Sequence, residues 1–392
     1  MKESSTYHWI LLFRTMTNQS IGLVEKKIFT LASPMALESG ECLDEVSLAY
    51  ETYGELKPDK SNAILICHAL SGDAHVAGFH QGADKEGWWE IMVGPGKAID
   101  TDRYFVICSN ILGSCMGSSG PSSLNSKTGK PYGLAFPVVT IGDMVRAQKA
   151  LIDSLGITKL LSVIGGSIGG MQTLEWSVSY PEMVFSAIPL ATTQRHSALA
   201  IAFNEVARQA IMADPHWQHG DYYGGQKPDL GLAVARMIGH ITYLSDTAMR
   251  NKFGRRLQDK NDFSFNFEAD FQIESYLRHQ GTKFVNRFDA NSFLYITKAA
   301  DYFDLTSKRT SEHHSLFAHA QARYLVISFT SDWLYPTRKS KAMVKAMKKN
   351  NINVSFCEIE AECGHDAFLL PNPRLADMLS GFLERMAKEY EA

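Results

Sequence analysis

The stretch Leu160–Pro181, LLSVIGGSIGGMQTLEWSVSYP, decides the fold. Its apolar run from Leu160 to Ile164 ends in Gly165-Gly166-Ser167-Ile168-Gly169, and from Gly170 a helical pattern puts Met171, Leu174 and Val178 on one stripe. This reads as strand, sharp turn and helix. In a G-x-S-x-G turn the serine takes a strained backbone conformation, and glycines flank it because a Cβ there would collide with the neighbouring strand and helix. The serine hydroxyl is thereby pushed into a cleft, and the amide of Ile168 is aimed at the atom that the hydroxyl attacks. Alone, the five-residue string also describes a glycine-rich turn with an incidental serine; the strand before it and the helix after it favour the functional reading.

Upstream, Thr140-Ile141-Gly142-Asp143 resembles a capping box and opens a helix that Gly156 ends. Val46–Tyr53 alternates as an early antiparallel strand does, whereas Ala63–Cys67 (AILIC) and Tyr104–Ser109 (YFVICS) are continuous apolar runs, the pattern of strands covered on both faces. AILIC leads into the loop His68–His75. YFVICS opens onto Asn110–Ser123, rich in Gly, Ser and Pro, which fits a mobile connector and the floor of a cleft equally well. Downstream, Phe185–Leu190 is the next buried strand. From about residue 193 to 320 amphipathic stretches replace strands, among them Leu199–Met212, Leu230–Leu244 and Phe284–Tyr302, with the polar aromatic segment Pro215–Gly225 between two of them. Strands return at Tyr324–Phe329 and Val354–Ile359, with helices over Thr337–Lys349 and from about Pro373 to Tyr390.

Alternating β and α elements imply a mostly parallel, doubly wound sheet, and the helical block reads as a cap inserted over its cleft. The expected division is a poorly ordered extension at 1–25, a core of 26–192 and 321–392, and a helical cap of 193–320.

With 392 residues, 45% of them hydrophobic, the chain is long enough for such a core. A formal net charge of −3 gives no electrostatic reason to expect nucleic acid or an anionic membrane as partner. The apolar Trp9–Phe13 is too short for a signal segment and runs into Arg14. Six cysteines without C-x-x-C spacing suit a reducing cytoplasm, and the 13 histidines contain no H-E-x-x-H. His313-His314 is too isolated to argue for zinc, so no metal is expected.

A serine hydroxyl is a weak nucleophile at neutral pH and needs an imidazole to take its proton and an acid to hold that imidazole. Both should follow later strands on the same sheet edge as Ser167. Asp332 lies three residues beyond YLVISF, and His365 follows VSFCEI. Taken singly, Asp332 is a turn aspartate and His365 a capping or surface histidine; their joint placement, in the order Ser, Asp, His, makes a triad. An oxyanion hole needs two amides, one from Ile168 and one from the loop after AILIC, where Leu70 is the best candidate.

The segments HALSGDAHVAG, GWWEIMVGPGKAIDTDRYFVICSNILGSCMGSSGPSS, GGSIGGMQTLEW, ARMIGHITYLS, DANSFLYITKAADYFD and CGHDAFLLP occur in order from Phe29 onward, and together resemble the homoserine O-acetyltransferases. The resemblance implies an α/β-hydrolase fold and acetyl transfer from acetyl-CoA, a co-substrate, to the hydroxyl of L-homoserine through an acetyl-serine, without a bound cofactor. It also implies a cytoplasmic homodimer that pairs through its caps. Matched motif by motif, Ser167, Asp332 and His365 take the triad roles, and Arg236 and Asp366 hold the amino acid. Ile168 departs from a common methionine, Cys363 from a frequent tyrosine and Ser114 from a frequent glycine; the last two bear on the acyl pocket or acceptor site. Homoserine is a zwitterion, so a guanidinium for its carboxylate and a carboxylate for its ammonium make chemical sense. The rival readings are transfer of succinyl, transfer to serine, a plain esterase, and a catalytically inactive binding module.

Overall fold

The computed structural model describes residues 20–306 and 317–392; His313 and His314 lie outside them. Eight strands form the main sheet: β1 (Lys27–Thr30), β2 (Ser47–Tyr53), β3 (Ala63–Cys67), β4 (Phe105–Ser109), β5 (Ser162–Gly166), β6 (Ser186–Leu190), β7 (Arg323–Phe329) and β8 (Val354–Ile359). Their spatial order is β1-β2-β4-β3-β5-β6-β7-β8. The β1–β2 and β2–β4 pairs are antiparallel and the rest parallel. The strand order reverses between β3 and β5, and ligands of open α/β sheets bind outside the carboxyl ends of strands at such a point.

The apolar runs are continuous because the sheet is covered twice. Along β3, Ala63, Leu65 and Cys67 enter one core, with Met144, Met171 and Met343, while Ile64 and Ile66 enter the other, with Leu375, Leu379 and Leu383. Alternate side chains thus feed opposite layers, and every residue of β3, β5 and β6 is buried. Helices α1 (Ile141–Ser154) and α2 (Ile168–Ser179) pack on the first face with α8 (Thr337–Lys349), and α9 (Pro373–Glu391) covers the second. The capping box of α1 forms: Thr140 Oγ1 accepts from Asp143 N at 3.1 Å and Thr140 N donates to Asp143 Oδ2 at 2.9 Å.

Between β6 and β7 run α3 (Ala198–Met212), α4 (Asp229–Tyr243), α5 (Asp246–Lys252), α6 (Gln272–Val285) and α7 (Ala290–Asp301). The amphipathic stretch read over Phe284–Tyr302 takes in the last two residues of α6 and, after a break, all of α7. Asp289 caps α7 through Ser292 N at 2.8 Å and also receives the Tyr222 hydroxyl at 2.7 Å, so local capping overrides the continuous periodicity. Other differences are of register: β5 is displaced onto its glycines, Ser162–Gly166, and α2 already begins at Ile168. Before β1, Gly22 O and Val24 N exchange backbone hydrogen bonds with Phe79, each at 2.9 Å, tying residues 22–24 of the expected loose extension to the core.

Candidate active site

Ser167 sits between β5 and α2 with φ 59° and ψ −123°, a positive-φ conformation that a non-glycine residue adopts only when its surroundings impose it. Its N–H donates to Leu190 O at 3.0 Å, and Thr192 Oγ1 donates to its carbonyl at 2.7 Å, so β6 and the residues after it grip the turn from both sides. A Cβ on Gly165 would strike the Gly169 carbonyl, and one on Gly169 the Cys67 carbonyl. The glycines are therefore steric requirements of a tight strand-to-helix crossing.

Two loops at the carboxyl ends of β7 and β8 bring the other members. His365 Nε2 lies 2.9 Å from Ser167 Oγ, and His365 Nδ1 lies 2.8 Å from Asp332 Oδ2. Asp332 Oδ1 accepts the backbone N–H groups of Leu334 at 3.0 Å and Tyr335 at 2.9 Å, which fixes the carboxylate. With Nδ1–H donating to Asp332, the Nε2 lone pair faces the serine hydroxyl. Burial opposes protonation of His365, but the charge and hydrogen bond of Asp332 outweigh it and raise its pKa above the ordinary value. Gly364 has φ +78°, and a Cβ there would collide with the backbone at the end of α4. Trp333 Nε1 donates to Leu244 O at 3.0 Å, so the end of α4 rests directly on the loops that carry Asp332 and His365.

Leu70 and Ile168 line the cavity that contains Ser167. Ile168 is the first residue of α2, whose leading N–H groups have no partner within the helix. The loop of Leu70 is held by His68, whose Nδ1 donates to Ala69 O at 2.8 Å and whose Nε2 accepts Ile111 N at 3.1 Å. Burial lowers the pKa of His68, keeping the ring in the neutral form that this pair of bonds needs. The Asn110–Ser123 loop is thus a packed support for the loop of Leu70: Ile111, Leu112 and Ser114 are buried, Ser118 Oγ donates to Asn110 O at 2.6 Å, and Ala49 N donates to Ser118 Oγ at 3.0 Å. Ser114 and Cys363 do not line the cavity that contains Ser167; Cys363 stands two residues before His365.

The other end of the cleft is charged. Arg236, on α4, donates from Nη1 to Ser71 Oγ at 3.3 Å, and its guanidinium lies over Phe284 at 4.7 Å and Tyr243 at 5.6 Å. Asp366 follows His365; burial raises its carboxyl pKa against the pull of His365 and Arg236. Among the described residues neither Arg236 nor Asp366 forms an ion pair within 4.0 Å. Sequence reading did not find Arg287, whose Nη1 donates to Ser71 O at 2.9 Å, so that Ser71, next to Leu70, holds both Arg236 of α4 and Arg287, just after α6.

A second cluster missed in the sequence joins β2 to the loop after β3. Glu51, His75 and His80 place one carboxylate and two imidazoles within 4.8 Å of one another, donors that suit a divalent cation. The fully buried carboxylate is already engaged: Oε1 with His80 Nε2 at 2.7 Å, and Oε2 with His75 Nδ1 at 2.9 Å and the Tyr53 hydroxyl at 2.8 Å. His75 and His80 share one loop, but Glu51 comes from β2, 24 residues before His75, so no familiar ligand spacing announces them.

A serine on a strand-to-helix elbow, with Asp and His supplied from the ends of the last two strands, makes this an α/β-hydrolase-fold protein. The family model for the alpha/beta hydrolase fold matches residues 62–371. A curated homoserine O-acetyltransferase of Solidesulfovibrio magneticus is 66% identical over 372 residues, 93% of this chain and 94% of its own. Among solved structures, homoserine O-acetyltransferase from Bacillus anthracis superposes with a TM-score of 0.84 at 30% identity, covering 94% of this chain and 98% of that one. Esterase E22 superposes at 0.85 with 33% identity, covering 92% and 100%. The chain belongs to the homoserine O-acetyltransferase family.

Proposed function

We propose that this enzyme moves an acetyl group from acetyl-CoA to the hydroxyl of L-homoserine, giving O-acetyl-L-homoserine for methionine biosynthesis, by way of an acetyl-Ser167 intermediate. His365 removes the Ser167 proton as Oγ attacks the thioester carbonyl, and Asp332 stabilises the imidazolium that forms. The amides of Leu70 and Ile168 receive the developing oxyanion. The thiol of CoA departs with the proton from His365. Homoserine then enters; His365 takes its hydroxyl proton, the oxygen attacks the acetyl carbonyl, and Ser167 recovers the proton as the ester leaves.

The observation that carries acceptor recognition is the pair of charges without an ion-pair partner, Arg236 and Asp366, beside the triad. Arg236 suits the homoserine carboxylate and Asp366 its ammonium. A plain esterase has no use for such a pair, although the likeness to esterase E22 makes water the natural competitor for the acyl-enzyme. Acetyl is favoured over succinyl because no Lys or Arg lines the cavity of Ser167; Lys339 and Arg208, the cations near His196, are not on its wall, and Arg208 is already paired with Glu205 and Asp301. Arg195, the other cap arginine near in sequence, pairs with Asp304 at 3.0 Å and is mostly exposed.

Acetyl-CoA enters as a co-substrate, and the chemistry needs no bound cofactor. Association through the caps is supported by Leu199, Val206, Leu230, Val234 and Ile241, exposed apolar side chains of α3 and α4. A cytoplasmic setting accords with six free cysteines; no helix among the described residues is long and apolar enough to cross a membrane.

The deciding experiment offers acetyl-CoA and succinyl-CoA together against homoserine and serine, with products resolved by mass spectrometry. Predominant O-acetylhomoserine is expected; predominant O-succinylhomoserine, O-acetylserine or free acetate would overturn the corresponding part. Parallel-line kinetics and a labelled Ser167 peptide are expected for the covalent route.

A further inference from the structure

We propose that His196 is the anchor for the thioester donor, hydrogen-bonding the amide nearest the sulfur in the pantetheine arm of acetyl-CoA. The inference rests on the acetyltransferase reading. His196 stands just before α3 and is 7% exposed, and both of its ring nitrogens are buried without a hydrogen-bond partner. A buried polar group left unsatisfied costs about 1–3 kcal/mol, a penalty that a ligand supplying the missing bonds removes. The backbone at this position is fixed by His196 N donating to Phe303 O at 3.0 Å. The ring stands edge-on to Tyr335, 5.9 Å between centroids, and Tyr335 in turn stands 5.1 Å from the ring of His365.

The cavity decides which substrate meets this ring. His196 and Ser167 line one cavity with Phe203, Asn204, Ile238 and Tyr335, and no Lys, Arg, Asp or Glu belongs to its wall. Arg236 and Asp366 lie off that wall, so the zwitterionic acceptor has its charged partners elsewhere. An uncharged wall with one neutral imidazole suits the uncharged part of the donor. Beyond the acetyl thioester, the pantetheine arm carries two methylenes and then a secondary amide, with one N–H donor and one carbonyl acceptor. A neutral imidazole offers one acceptor and one donor, so one ring nitrogen can bond either the N–H or the carbonyl of this trans amide, whose two groups point in opposite directions. Burial, reinforced by the nearby cations Lys339 and Arg208, pushes the pKa of His196 down to about 4, so the ring is neutral at neutral pH.

The test compares Ser167 acylation by acetyl-CoA, S-acetyl-N-acetylcysteamine, which keeps the first amide, and S-ethyl thioacetate, which lacks it. His196→Ala should lose about tenfold in kcat/KM on the first two donors, roughly the value of one hydrogen bond. It should lose nothing on S-ethyl thioacetate and leave kcat/KM for homoserine unchanged, since in a double-displacement route that ratio does not depend on the acylation half-reaction. His196→Gln, whose amide keeps a donor and an acceptor, should recover part of the loss and also guards against a variant that fails to fold. Equal losses on the two short thioesters, no loss on either, or a loss confined to kcat/KM for homoserine would overturn the proposal. Product analysis of the unaltered enzyme tests the acetyltransferase reading separately, because the ratio of the two short thioesters reads the role of His196 whatever the acceptor.

Discussion

On the sheet side of the cleft, Ser167, His365 and Asp332 are bonded to one another, and the backbone of β6 and the loop after β7 holds the two ends of the relay. Facing them, Arg236 of α4 and Asp366 of the loop after β8 have no ion-pair partner within 4.0 Å among the described residues, and both ring nitrogens of His196, just before α3, lack hydrogen bonds. The sheet side is complete before any ligand arrives, as reaction-centre groups must be if they are not to reorganise during the reaction. The facing groups have no ion pair, Arg236 holding only the 3.3 Å bond to Ser71 and His196 none, and the energy of pairing them is released only on binding.

That contrast is most directly broken at the relay. Ser167→Ala should abolish acetyl transfer with the fold intact by circular dichroism, and Asp332→Asn should cost about 10⁴-fold in kcat because the tautomer and the imidazolium both lose their support. Retention of more than a tenth of the rate in Asp332→Asn would mean that the carboxylate is not part of a preset relay.

The pH profile sharpens the same point. Asp332 raises the pKa of His365 against burial; with the neutral ring as the proposed base, acylation should rise with pH as His365 loses its proton. In Asp332→Asn only burial and the more distant Asp366 remain to shift the ring, so the acidic limb of the residual activity should move to lower pH; a move to higher pH would contradict this account.

Smaller effects belong to the open side. Arg236→Ala and Asp366→Ala should each reduce kcat/KM for homoserine by roughly ten- to hundredfold, the value of a charge-assisted hydrogen bond, with acylation by a chromogenic ester largely preserved. Equal damage to ester acylation would place both residues in the structural frame with the triad. The smallest change is expected where the two sides meet. Ser71→Ala removes the 3.3 Å bond to Arg236 but leaves the backbone carbonyl that receives Arg287, so homoserine KM should rise by about two- to fivefold with little change in kcat.

Sequence alone determined whatever depends on local sterics and periodicity. The elbow is legible because Gly165 and Gly169 answer to collisions within one strand-to-helix turn, and the buried strands because both faces of β3 and β5 need apolar side chains. Asp332 and His365 could be placed because they follow such strands directly. Only the tertiary structure decided which polar groups are satisfied and which stay open. Whether Asn110–Ser123 moved or packed depended on His68 meeting the amide of Ile111, 43 residues away. Gly364 is required by α4, and the cluster of Glu51, His75 and His80 exists because β2 passes beside the loop after β3. Hydrogen bonds between segments remote in the chain leave no period and no spacing. The openness of His196 is a property of its neighbours, so it becomes visible only once they surround it.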